Sequence, residues 1–192
     1  MQAQDILDFW FLPKADPAHG TVRKEWFRKD AAFDALIAQR FGHLIDIALA
    51  GGLREWDLAG THGALARLLV LDQFTRNAYR NEAKSFAGDT LALAAAQNLV
   101  DSGAHMALTT LERWFAYMPF QHSEDARMQE QSVQLFTALA QADPQCAGAF
   151  DYALRHRGVI ARFGRFPHRN VILGRASTAE ELEFLQQRGS RF

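Results

Sequence analysis

The sequence has one cysteine, Cys146, among 192 residues. No disulfide can form within the chain, and this usage fits a reducing compartment, so the expected location is the cytoplasm. Cys146 reads as a small packed residue rather than a nucleophile. Lysine is also scarce: only Lys14, Lys24, Lys29 and Lys84 among the 21 basic residues. Charge of one sign is missing, with a formal net charge of -1. Wholesale polyanion binding is therefore disfavoured, and any electrostatic function is local. No apolar run approaches about 18 residues, so no membrane-spanning helix and no membrane partner are expected. The stretch MQAQDILDFWF carries acids inside its apolar residues and no basic lead, unlike a secretory signal. Alternating strand patterns are nearly absent. No His-x-x-x-His pair or other strong ligand spacing occurs, so neither a metal nor a cofactor is expected.

What is present is helical periodicity. Apolar residues make up 48% and charged residues 22%, the balance of a globular protein. One helical domain over residues 1–192 is expected. The spacing predicts a short helix over 3–11 and a long one capped by Asp30, carrying Phe33, Ile37, Phe41, Leu44, Ile45 and Ala48 and stopped by Gly51 and Gly52. Further helices are predicted over 61–77, from just after Asp89 to near Gly103, and over 108–118, broken at Pro119. A helix capped by Ser123 runs to Asp143-Pro144, and another spans 147–163. The last opens with a capping box from Ser177 to Glu180 and runs to Gly189. The fold class is all-α, about eight helices in antiparallel pairs with short loops.

Four groups of residues are candidates for function. In LLVLDQFTRN, Asp72 and Arg76 lie four apart on an otherwise apolar helix. They form either an internal ion pair or, with Arg76 facing a cavity, part of an anion site. In YMPFQHSED, the break at Pro119 places His122 at a helix N-terminus beside Ser123 and Glu124, where backbone N–H groups attract anions. In RHRGVIARFGRFPHRN, helical phase turns His156 and Arg157 inward and Arg155 and Arg162 outward. A Pro-stiffened turn then presents Arg165, His168, Arg169 and Asn170. The fourth group is aromatic: Trp10, Trp26, Trp56, Trp114 and fifteen phenylalanines. Their spacing is that of a helical core, which argues against stacking on nucleic acid. They also leave room for an apolar face covered by a second copy, a homodimer.

These motifs, together with ILDFWF, EWFRKDAAFDALIAQRF and ILGRASTAEELEFL, resemble in order the bacterial domain-of-unknown-function family nine-two-four. The resemblance covers nearly the whole chain. It implies an all-helical, TPR-like fold and no reaction. Its motifs fall on Asp72, Gln73, Arg76 and Asn77, on His122, Ser123 and Glu124, and on His156, Arg162, Arg165, His168, Arg169 and Asn170. Three functions follow as expectations. The first is a helical protein that binds an anionic small molecule or peptide carboxylate through Arg76, Arg165 and Arg169, with N–H groups near Ser123 assisting. The second is a hydrolase or other acid–base enzyme. There His122 or His168 is the base, Glu124 or Asp72 its orienter, and an arginine the stabiliser. The third is a structural or interaction module whose polar motifs satisfy one another inside the fold.

Overall fold

Helical periodicity is realised along nearly the whole chain in the computed structural model, which describes residues 1–190. Its helices are α1 (Ala3–Phe11), α2 (Ala31–Leu49), α3 (Arg54–Leu58), α4 (Thr61–Leu69), α5 (Thr75–Ala78), α6 (Asp89–Asp101), α7 (Thr110–His122), α8 (Ala126–Ala142), α9 (Ala147–Phe163) and α10 (Ala179–Leu185). No strand occurs among the described residues. Eight of these helices have seven or more residues, and the arrangement is compatible with the TPR-like fold that the resemblance implies. No helix among the described residues is long and apolar enough to cross a membrane.

Helix starts follow local chemistry. The Asp30 side chain accepts from Ala32 and Phe33 N–H at α2, and Thr109 with Glu112 forms a capping box at α7. Two starts differ from the sequence expectation. Asp125, not Ser123, caps α8, accepting from Arg127 and Met128 N–H. The last capping box is Thr178 with Glu181, one residue beyond the Ser177–Glu180 frame, and α10 stops at Leu185 rather than Gly189.

The α4–α5 helix is the axis of the core. Leu65, Leu68, Leu69, Val70, Leu71 and Phe74 are wholly buried there, packed with Trp10, Phe41 and Phe115. This helix is not uniform: Val70–Phe74 is π-helical. Thr75 donates to the Val70 carbonyl through both its backbone N–H and, at 2.9 Å, its Oγ1. An extra residue in one turn advances the side-chain phase by about 100°. Asp72 lies inside this stretch.

Pro119 does not end α7, which continues to His122. The carbonyls at its far end have partners. Gln129 Nε2 donates to Gln121 O at 2.8 Å and to Ser123 O at 2.6 Å. Arg169 Nη2 donates to His122 O at 2.9 Å. Satisfied C-terminal carbonyls and burial outweigh the helix-breaking tendency of one proline. A second, smaller apolar cluster of Val159, Ile160 and Phe166 joins the end of α9 to the following turn.

Gly88, just before α6, lies so close to the Leu71 carbonyl of the π-helical stretch that a Cβ there would collide with it. Gly88→Ala is expected to lower the unfolding free energy by about 1–3 kcal/mol, the cost of overpacking. The change is read as a lower urea midpoint at unchanged slope; an unmoved midpoint would show that the two backbones can separate freely.

Candidate functional site

Asp72 has no solvent exposure. Its Oδ1 lies 2.7 Å from His122 Nδ1, and its Oδ2 accepts from Gln73 Nε2. Burial opposes its ionisation, but His122, Arg76 and Gln73 outweigh that, and its pKa is lowered. An ionised carboxylate only accepts, so His122 donates from Nδ1–H. Arg76, the expected partner at four residues, is 3.9 Å from Asp72 Oδ1. It remains an ion-pair partner of Asp72, though a more distant one than His122.

Arg76 pairs more closely with Asp89, the first residue of α6, Nη2 donating to Oδ1 at 2.9 Å. The other oxygen of Asp89 accepts from Arg169 Nη1 at 3.0 Å. One carboxylate thus holds two guanidiniums. Both arginines also lie over the Phe86 ring, at 4.9 Å for Arg76 and 4.7 Å for Arg169, and Arg169 lies 4.6 Å from the Phe166 centroid. Burial, and then the Arg76 charge, lower the Arg169 pKa to about 10, so it stays protonated at neutral pH. Around this pair stand His156 and His168. The His156 Nδ1–H donates to Tyr152 O at 2.8 Å, and its ring packs edge-on against Phe166. Burial first, helped by neighbouring cations, lowers both histidines to about 3; they are neutral at pH 7.

A second polar network fixes the turn that carries Arg169. Glu124 accepts from Phe166 N–H at 2.7 Å and from both Nη atoms of Arg175, at 2.7 and 3.0 Å. Arg175 Nε donates to Asn170 Oδ1 at 2.9 Å, and Asn170 Nδ2 reaches Ser177 and Glu181. Arg165 closes the network by a bidentate pair with Glu181 at 2.6 and 2.8 Å. The Arg165 guanidinium, with Thr178 N–H and Asn170, holds the Glu181 carboxyl near 2 against desolvation.

The predicted residues therefore divide. Asp72, Gln73, Arg76, His122, His156, His168 and Arg169 come together, joined by Asp89 and Phe86. Glu124, Arg165 and Asn170 belong to the neighbouring network, so Arg165 is a structural pair and Glu124 does not orient His122. Asn77 lies elsewhere, accepting from Arg80, which pairs with Asp34. Ser123 Oγ accepts from Asp125 N–H. His122 ends α7 rather than starting a helix, and the Asp125 carboxylate already fills the α8 N-terminus, so those amides offer no anion site. Arg157 is half-exposed and pairs with Glu130 instead of facing inward. Asp89, Arg175 and Glu181 were missed. Asp89 had a signal, an acid immediately before a predicted helix and directly after Gly88. Two surface clefts, one including Asp57, Thr61 and Asn98, the other Phe9, Phe33 and Arg40, contain none of the predicted residues. Among the described residues no group of three or more His, Cys, Asp or Glu is arranged to hold a metal.

A family model described as a bacterial protein of unknown function, DUF924, matches residues 6–189. The solved structure of the protein of unknown function ATU0120 from Agrobacterium tumefaciens is 39% identical, with a TM-score of 0.83 and 96% of each chain covered. No curated protein matches.

Two outcomes are expected. Asp72→Ala strands His122 and loosens Arg76 inside the core, and costs about 3–5 kcal/mol in chemical denaturation. The pH dependence follows from His156 and His168. Unfolded, they take up protons near pH 6.5; folded, only near 3. Their contribution is full above about pH 6.5 and is lost as pH falls through that window. His156→Phe should flatten the loss of stability between pH 7 and 5, measured by urea unfolding; an unchanged slope would mean that His156 titrates normally.

Proposed function

The chain belongs to the DUF924 family of bacterial proteins of unknown function, a membership that supplies no reaction, and from its own side chains we propose that it binds a small molecule bearing a carboxylate or similar anion at Arg76 and Arg169. The observation that carries this reading is the Asp89 carboxylate. It takes one hydrogen bond from each guanidinium, the arrangement an anionic ligand needs. Asp89 and Arg76 are partly exposed, with side-chain exposures of 23% and 19%. A ligand anion reaches the guanidiniums by exchanging with Asp89. Arg169 Nε is a further buried donor without a hydrogen-bond partner among the described residues. His122 and His168 flank the site, His168 as a neutral ring at pH 7.

One observation favours a structural reading instead. Arg76 also donates to Ser85 O and Arg169 to His122 O, and the two arginines are formally cancelled by Asp72 and Asp89. Such a cluster can serve only to lock helices together.

Thermal shift with acetate, succinate, phosphate and a dipeptide separates the two. Under the binding reading one of these raises the melting temperature. At 100 times its Kd the stabilisation is about 2.7 kcal/mol, or roughly 2–4 °C for each kcal/mol at this size. The rise should vanish in Arg76→Gln and Arg169→Gln and persist in Arg155→Ala, whose side chain is exposed. A flat response to every probe leaves the structural reading.

A further inference from the structure

We propose that His122 is the general base of a hydrolytic site and Asp72 its positioning residue, driving water onto an acyl carbon of an ester whose carboxylate is held at Arg76 and Arg169. This rests on the binding reading above. Four observations carry it.

The first is backbone. An uninterrupted α-helix would set Asp72 and Arg76 side by side as an ordinary pair, and structural locking needs nothing more. The chain instead spends a π-helical turn, Val70–Phe74, a device frequent at functional sites. Its effect is to aim Asp72 at His122 and Arg76 at Asp89. The second is the tautomer. The buried carboxylate fixes a proton on Nδ1 of His122, so that in the neutral ring Nε2 is the proton acceptor, the division of labour that makes histidine a base. The third is charge. Arg169 donates to the carbonyl of His122 itself, and Arg76 stands beside Asp72, so the two cations that would hold the substrate carboxylate lie next to the base and its positioning residue. The fourth is the nucleophile. Cys146 is buried, its thiol pushed up to about 11 by desolvation. Ser123 Oγ is engaged with Asp125 N–H. Water is the nucleophile that fits.

The step balances without oxidant or metal. Nε2 takes a proton from water as the water oxygen bonds to the acyl carbon, and the carbonyl π pair moves onto its oxygen. The intermediate collapses, the acyl C–O bond breaks, and the imidazolium returns its proton to the departing oxygen. The products are an acid and an alcohol.

The test uses the full chain with 4-acetoxybenzoate, an ester bearing a carboxylate, and 4-nitrophenyl acetate, which bears none. Wild type should hydrolyse 4-acetoxybenzoate faster than buffer. His122→Gln should lower kcat/KM by about 100-fold or more with an unchanged circular dichroism spectrum. Asp72→Asn should lower kcat with little change in KM. It should also move the imidazole proton from Nδ1 to Nε2 in long-range proton–nitrogen spectra, because an amide donates where the carboxylate accepted. Arg169→Gln should raise KM for 4-acetoxybenzoate only. Neither ester hydrolysed above buffer, His122→Gln as fast as wild type, or a native His122 protonated on Nε2 overturns the proposal. Hydrolysis that needs His122 but ignores Arg169 with both esters keeps the base and overturns the anion site. Anion stabilisation without hydrolysis does the reverse.

Discussion

A carboxylate that cannot reach water must find its partners inside the protein, and Asp72 is such a group at the centre of the core helix. Leaving it unpaired would cost several kcal/mol, a large share of a domain's net stability. Its own helix supplies only Gln73 and, at 3.9 Å, Arg76. The strong partner comes from the far end of α7, so α7 must run through Pro119 to deliver His122. That requirement explains why the carbonyls after Pro119 are capped so thoroughly by Gln129 and Arg169.

From His122 the constraint propagates outward. Arg169 holds the His122 carbonyl and shares Asp89 with Arg76. Two guanidiniums drawn to one place repel, which adds to burial in lowering the Arg169 pKa. The Asp89 carboxylate between them and the Phe86 ring in contact with both offset that repulsion. Arginine suits this arrangement because its planar fork can pair and stack at once, which lysine cannot.

The all-α class, the spans of α1, α2 and α9, and the convergence of three polar motifs were legible because each rests on local periodicity or on the rule that buried charge is paired. What was not legible depends on tertiary contact. The continuation of α7 through Pro119 relies on donors from α8 and from the turn after α9. The π-helical turn at Val70–Phe74 has no signature in LLVLDQFTRN, so Asp72 and Arg76 read as partners although each has a closer one. The one-residue slip from Ser177 to Thr178 arises because either hydroxyl has an acid three residues on. Asn170, which bonds Ser177, and Arg165, which pairs with Glu181, decide between the frames. Helical phase assigned His156 correctly and Arg157 wrongly, because a long arginine at the edge of an apolar sector can reach out to Glu130.

The basic run at residues 155–170 shows how one charged segment can be divided between folding and chemistry. Arg165 and Asn170, with Arg175 and Glu124, fix the turn through bonds that do not involve Asp72, His122 or Asp89. Arg169 and His168 leave that turn for the Asp72 cluster, Arg169 passing between Phe86 and Phe166. The turn's anchoring is therefore independent of whatever meets the Arg76–Asp89–Arg169 group. Among the described residues the Asp89 carboxylate shares no hydrogen bond with the Glu124–Arg175 or Arg165–Glu181 pairs.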